Sequence, residues 1–511
     1  MTDLSSTGQL RVVEVLSEIK LDSEHSFIET TRAETHRLMK RAPAVCVWLA
    51  VPLLLAGCKH FQSVPLAAEP AAAAFDARSL DDPGLANFLA HNQLPPEVPW
   101  HPPTKWNLPA LTLVAFYFHP SLEVARAQWS VAKAGIRTAG GRLNPTLSLV
   151  PGYDFTGGSG LSPWIPAVSY DLPIETAGKR GRRIERARNL SEFARLNIAT
   201  VAWQVRASLR ASLLAFTAAD RRVGLLQSQL QAQQQIVGLL EQRLAAGAAS
   251  TTEVTAARLA LIKTAADLNE ARRLRIEARG LVAASLGLPA KAIDGVEFDY
   301  DLSPAPAPAA EPTSPELRRQ ALQSRPDILA ALAEYAATQS ALQLEIAKQY
   351  PDIHLGAGYQ FDQGDSKWSL SITAEIPVLN RNQGPIAEAE ARRTEAAARF
   401  IALQGRVIGE IDRALALRGA TEAQLRESET LLQTQRKQLE AQQAAFAAGA
   451  SDQLELQHAR LETRVSELTL LEAQGRAQQA IGQLEEALQR PFESLSVIEQ
   501  ETGAQVRKDK P

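Results

Sequence analysis

Residues 353–376 read IHLGAGYQFDQGDSKWSLSITAEI, and they interrupt a chain otherwise rich in Ala, Leu, Gln, Glu and Arg at helical spacing. Side chains alternate between the two faces of a strand, so residues two apart share a face. Ile353, Leu355, Ala357, Tyr359 and Phe361 fall on one face, and Asp352, His354, Gly356, Gly358 and Gln360 on the other. The return from Trp368 repeats the pattern, with Leu370, Ile372, Ala374 and Ile376 opposed to Ser369, Ser371, Thr373 and Glu375. The stretch therefore predicts a β-hairpin with one apolar and one polar face.

An earlier stretch repeats the design. Leu147, Leu149, Pro151, Tyr153 and Phe155 oppose Thr146, Ser148, Gly152 and Asp154, with Val150 the exception, and Trp164, Val168, Tyr170 and Leu172 return on the apolar side. Each strand is about 10 residues, enough for a tilted transmembrane β-strand. Tyr153, Phe155 and Trp164 in one copy, and Tyr359, Phe361 and Trp368 in the other, gather at the turn end, where a membrane aromatic girdle belongs. A soluble sandwich edge would also alternate. Four strands, however, cannot close a barrel, and an open edge in lipid leaves backbone groups unpaired, so membrane-spanning hairpins require chains to associate.

Outward from the hairpins the whole unit is duplicated. Helical patterns run from His119-Pro120 to Asn144-Pro145 and from Arg325-Pro326 to Tyr350-Pro351; the hairpins follow and end at Leu172-Pro173 and Ile376-Pro377. Very long helical stretches come next, about Ala177 to Ala246 and Pro385 to Ala448, the first spanning about 105 Å at 1.5 Å per residue. RLAAGAASTTEVTAARL (243–259) then matches AFAAGASDQLELQHARL (445–461). Gly247 and Gly449 in these segments supply the positive φ that a tight helical reversal needs. Ala and Leu at three- and four-residue spacing indicate coiled-coil-like packing. The expected organisation is a repeat at 104–288, a Pro/Ala-rich linker at 289–313, a second repeat at 314–490 and a polar tail at 491–511.

The N-terminal region reads differently. A short apolar run follows Met39-Lys40-Arg41 and ends in Leu55-Ala56-Gly57-Cys58, a length suited to a signal-peptide core rather than a membrane span. The four residues resemble the bacterial lipobox, which makes Cys58 the expected lipidation site and 39–57 the signal peptide. Residues 1–38 read as a misassigned N-terminal extension, or alternatively as a cytoplasmic tail on a short anchor. Residues 58–103 read as a tethering linker. The Lys59 that follows the cysteine implies delivery to the outer membrane.

The 54 basic and 57 acidic residues leave no field to attract nucleic acid. Cys46 and Cys58, the two cysteines, cannot build a disulfide framework or a zinc site, and the histidines show no ligand spacing. No metal, cofactor or catalytic constellation is expected. TGGSGLS lacks the nucleophile-elbow pattern. In TAGKRGRR, residues Lys179, Arg180, Arg182 and Arg183 follow a membrane strand, where they could meet lipid phosphates or simply open a solvated helix.

Taken together, the duplicated helix, hairpin, long helix and shorter helix resemble the TolC family of outer-membrane efflux channels from about residue 104 to 490. The lipobox and AGKRGRR look most like the lipoprotein branch related to CusC, NodT and CzcC. The resemblance implies a mainly α fold with a small membrane β part: a homotrimer whose 12-stranded outer-membrane β-barrel continues as a periplasmic α-helical barrel. It implies a passive exit duct served by a periplasmic adaptor and an inner-membrane pump of RND or ABC type. It places Gly247 and Gly449 at periplasmic tips, and Glu253, Glu455 and His458 as candidates for the entrance gate. A periplasmic coiled-coil scaffold lipoprotein without a pore is the alternative.

Overall fold

The computed structural model describes residues 60–92, 105–155, 160, 162–303 and 314–490. Cys58, the signal peptide, the extension before it and the tail from 491 lie outside the described residues. The chain divides into two compact units, Met1–Ala68 and Glu69–Pro511. The described residues of the first, 60–68, carry no regular element up to Ala68, where a helix begins.

Within the second unit the two repeats are plain. Helix α1 spans Ala68–Asp76, α2 Pro83–Asn92, strand β1 Lys105–Asn107, and helix α3 Leu108–Phe118. The first repeat then runs α4 (Pro120–Ala139), β2 (Thr146–Tyr153), β3 (Trp164–Ile174), α5 (Lys179–Ala245) and α6 (Thr251–Leu286). Strand β4 (Glu297–Asp299) and helix α7 (Ser314–Ser324) follow. The second repeat runs α8 (Pro326–Ala347), β5 (Ile353–Asp362), β6 (Asp365–Ala374), α9 (Gln383–Ala447) and α10 (Gln453–Leu488). The long helices have 67 and 65 residues and their partners 36 each. At 1.5 Å per residue the former extend about 100 Å.

Pro120 and Pro326 each open a helix at its first position, where the missing N–H costs nothing, and Asn107 caps α3 by accepting from the Ala110 N–H. Helix α3 is apolar on nearly every side and is correspondingly buried, with Leu111, Val114 and Ala115 fully enclosed. It forms a core with Leu209 and Leu213 of α5, Leu286 of α6, and Leu85 and Leu89 of α2. The segment expected as a tether is therefore partly folded onto the repeat. Arg78 fastens it by donating to the carbonyls of Phe118 and Gly287, at 2.9 and 3.0 Å. The three-residue strands β1 and β4 pair in parallel and tie the start of the first repeat to the segment that follows it.

The repeats are joined by charge as well as by packing. Arg206 on α5 donates to Glu485 on α10 at 2.9 Å, and both side chains are almost fully enclosed. Arg210, one helical turn on, donates to the backbone and side-chain oxygens of Gln478, whose amide donates to the carbonyls of Asp301 and Ser303. Gly482 makes room: a Cβ there would lie 1.9 Å from Arg210 Nη1.

Candidate functional site: a four-stranded sheet and two helical tips

The two hairpins form one antiparallel sheet in the order β2-β3-β5-β6. Its register sets Leu147 opposite Tyr170, Leu149 opposite Val168 and Tyr153 opposite Trp164; Val168 faces Tyr359, Leu172 faces Leu355, and Leu355 in turn faces Ile372. One apolar face thus crosses all four strands. It is open in the single chain: Leu149 is 67 %, Leu370 79 % and Trp368 81 % exposed. Apolar surface of this extent is turned outward where the surroundings are themselves apolar. Tyr153 packs against Trp164 and Phe155 with ring centroids 5.1 and 4.9 Å apart, and Tyr359 against Trp368 at 4.8 Å. Phe361 lies opposite Ser366. β5 and β6 are joined by a tight turn at Gln363-Gly364, both at positive φ.

The opposite face is small and polar. Ser169, Gly358 and Ser369 align across three strands, as do Asp171, Gly356 and Ser371. A Cβ on Gly356 or Gly358 would press on Ser371 Oγ or Ser369 Oγ, at 2.2 and 2.6 Å. His354 Nδ1 sits 2.8 Å from Asp171 Oδ2 on this face.

At the far end of the long helices the two reversals are built alike. Gly247 (φ 72°) and Gly449 (φ 74°) take left-handed backbone. Behind them the N–H groups of Ala248 and Ala450 reach back to the carbonyls of Arg243 and Ala445, closing the helix ends. Ser250 and Asp452 then cap the returning helices, each in a reciprocal box with Glu253 or Glu455. Hydrogen bonds from the Ser250 N–H and hydroxyl hold the Glu253 carboxyl below its ordinary range. The S-x-x-E and D-x-x-E spacings carry this capping signal in the sequence, and the entrance reading passed over it. Glu253, Glu455 and His458 are exposed, the last two one helical turn apart on α10. Arg243 of one tip reaches Asp452 of the other at 2.5 Å.

The basic cluster does not point outward as a group. The Lys179 ammonium donates to Tyr350 O at 2.7 Å and Asp352 Oδ1 at 2.8 Å, and its side chain is only 9 % exposed. This corrects the expectation of a lipid contact for Lys179, because burial without that carboxylate would leave its charge uncompensated. Arg183 forms a bidentate pair with Glu175 and also donates to Gly141 O. Arg180 donates to Gly140 O, and Arg182 pairs with Glu185, both at exposed positions.

Among the described residues no group of three or more His, Cys, Asp or Glu is placed to hold a metal ion, and no single helix is long and apolar enough to cross a membrane.

A duplicated helical hairpin carrying a sheet with an outward apolar face defines a membrane-channel type of protein. Residues 118–288 and 317–489, the two repeats, each match the outer membrane efflux protein family, and the chain belongs to that family. It is thus an outer-membrane protein of the TolC type that extends into the periplasm. The chain is 27 % identical over 234 residues to the cobalt-zinc-cadmium resistance protein CzcC of Cupriavidus metallidurans, covering 45 % of this chain and 54 % of CzcC. It is 25 % identical over 294 residues to the outer membrane protein OprJ of Pseudomonas aeruginosa, covering 55 % and 60 %. The alignments span little more than half the length of these relatives. In fold it is similar to the outer membrane protein VceC of Vibrio cholerae (TM-score 0.61, 20 % identity, 76 % of this chain and 97 % of that one). It is also similar to the CmeC outer membrane channel of Campylobacter jejuni (TM-score 0.62, 14 % identity, 87 % and 98 %).

Proposed function

We propose that this protein is the outer-membrane exit duct of a tripartite efflux or type I secretion system, passing substrates passively from the periplasm to the exterior. The observation that carries the reading is the sheet: four strands with an open apolar face and two unpaired edges, β2 and β6, in a single chain. Lipid cannot satisfy a free strand edge, so the edges must meet other copies. Three copies supply 12 strands, and the long helices continue the barrel into the periplasm.

In this reading energy comes from an inner-membrane pump, of RND or ABC type, through a periplasmic adaptor that engages the Gly247 and Gly449 tips; the duct itself catalyses nothing. Cys58 carries the lipid anchor. Arg180 and Arg182 remain available to lipid headgroups, and Glu253, Glu455 and His458 surround the entrance. The test is conductance of the purified protein in planar bilayers. A duct gives discrete ion-conducting steps, whereas a scaffold lipoprotein that bridges the envelope gives none, and that outcome overturns the proposal.

A further inference from the structure

Where the sheet gives way to the long helices, a cleft of about 640 Å³ opens. Thr176 and Ala177 of the first repeat form one wall, and Tyr350, Pro351, Ile353 and Ala374 of the second form the rest. That volume lies within the range of small-molecule sites. Ile353 and Ala374 stand directly opposite each other on the apolar face of β5 and β6, so the cleft is continuous with the surface that faces lipid in the outer-membrane reading.

The polar groups of its floor are already spent. The Thr176 hydroxyl donates to the Pro351 carbonyl at 2.5 Å, and the Thr176 N–H donates to Asp352. The Tyr350 carbonyl accepts from Lys179, and the Tyr350 N–H donates to Ala347. Pro351 has no N–H to offer, and Ile353 pairs with Ile174 on one side and Ala374 on the other within the sheet. A sugar or peptide entering here would give up hydrogen bonds to water and find few partners in return, a cost that hydrocarbon does not meet.

The duplication shows what keeps the cleft open. Ile353↔Ala374 of the second hairpin corresponds to Leu147↔Tyr170 of the first, and Tyr350-Pro351 corresponds to Asn144-Pro145. Where the first repeat carries a tyrosine ring on its returning strand, the second carries a methyl group. A tyrosine stands instead at the rim, position 350, and is 60 % exposed. Tyrosine between apolar surface and water suits the interfacial zone of a membrane.

The level agrees. β5 has 10 residues, which rise about 33 Å, or about 25 Å along the membrane normal at a tilt near 40°, the height of the apolar band of a membrane barrel. With the aromatic rings of Tyr359, Phe361 and Trp368 at the outer boundary, Ile353 and the cleft lie at the boundary facing the periplasm.

We propose that the cleft holds one acyl chain of a glycerophospholipid from the periplasm-facing leaflet, with Tyr350 at the level of the headgroup. The proposal rests on the outer-membrane reading of the sheet and adds a defined lipid site to it. Because the walls come from both repeats, the bound chain bridges them, and a ligand that binds only the folded state raises its stability.

The test uses purified full-length protein in vesicles of phosphatidylethanolamine and phosphatidylglycerol, with a trace of phospholipid carrying a photoreactive diazirine in its acyl chain. After irradiation and peptide mapping, residues 350–353 and 374 should be labelled more heavily than Leu149 and Leu370, which lie exposed on the same face. Ala374→Tyr installs the residue of the first repeat and should lose that excess, leaving Leu149 and Leu370 labelled as before; Ala374→Leu, a smaller filling, should lower it, and Ala374→Gly should keep it. Added phospholipid should raise the melting temperature of the detergent-solubilised parent by more than that of either filled variant. Equal labelling of cleft and open face, or an excess that survives filling, overturns the site. An excess that appears only in Cys58→Ala assigns the cleft to the chain's own lipid anchor and overturns the phospholipid. No labelling anywhere on the face, Leu149 and Leu370 included, overturns the membrane reading of the sheet itself.

Discussion

The ammonium of Lys179, the first residue of α5, lies 2.8 Å from Asp352 Oδ1, immediately before β5, and so joins the first repeat to the second where sheet gives way to helix. Thr176 strengthens the junction by donating its N–H to the same carboxylate oxygen at 2.9 Å. A double-mutant cycle with Lys179→Met and Asp352→Asn should yield a coupling of about 1–2 kcal/mol in unfolding experiments, within the range for contacting residues. Additivity of the two substitutions would show that Lys179 acts elsewhere, for instance on lipid.

Glu485 faces two guanidinium groups, Arg206 at 2.9 Å and Arg210 at 3.6 Å, in an enclosed site between α5 and α10. Glu485→Ala leaves both cations without that carboxylate, and breaking buried pairs of this kind costs about 3–5 kcal/mol. The melting temperature of the purified protein should fall accordingly. Replacing the pair by Arg206→Met and Glu485→Leu should recover part of the loss, because it removes one of the two stranded cations while Arg210 keeps its hydrogen bonds to Gln478. A melting temperature unchanged in Glu485→Ala contradicts this account.

Asp452 holds α10 at its start and Arg243 across the tips. Backbone hydrogen bonds, first from the Glu455 N–H, together with Arg243, keep its carboxyl below the usual carboxylate range. A lowered folded-state value contributes stability above the unfolded value of about 4 and loses it as pH falls through the lower folded value. Hydrogen exchange at residues 451–456 should therefore be constant from pH 8 to pH 5, once corrected for intrinsic rates, and accelerate only below about pH 4. Asp452→Asn should remove that acid transition.

The entrance assignment separates from capping by charge. Glu455→Gln keeps a side chain able to close the box with Asp452 but removes a carboxylate, so it should lower cation selectivity in single-channel recordings without altering the melt. His458→Ala, one turn further along the same exposed helix face, should change the single-channel conductance. Selectivity and conductance both identical to the parent protein would mean that these residues lie away from the passage.

Lipid attachment at Cys58 is checked by acyl labelling. Cys58→Ala should abolish incorporation of a labelled fatty acid and slow removal of the signal peptide. An unlabelled, unprocessed parent protein in the outer membrane fraction would remove the anchor from the scheme.

The sheet and the long helices were legible because their signals are periodic: alternation over ten residues, and helical spacing free of proline over more than sixty. The β1–β4 pair was not, since Lys-Trp-Asn and Glu-Phe-Asp are too short to show a period and meet across the whole first repeat. Nor was the inward turn of Lys179, whose partner Asp352 belongs to the other repeat. In KRGRR a run of like charges reads as one surface, yet two of its members are spent on Asp352 and Glu175. The tips were found through their glycines, while the capping boxes beside them went unread although Ser250 and Glu253 stand at the right spacing. Local motifs thus surfaced where they repeat, and long-range pairings surfaced only in three dimensions.

The buried cluster also has a bearing on the order in which the molecule is completed. Arg206 is synthesised 279 residues ahead of Glu485, so during translation its charge waits in water for a helix that does not yet exist. At about 5–20 residues per second the interval is roughly 14–56 s. Whatever the N-terminal repeat forms before the last helix arrives lacks its finished interior, which that helix seals. Loss of a few turns from the end of α10 should therefore unsettle the beginning of the molecule, and a chain cut short near its C-terminus should be degraded as an unfinished protein rather than survive as a shortened one.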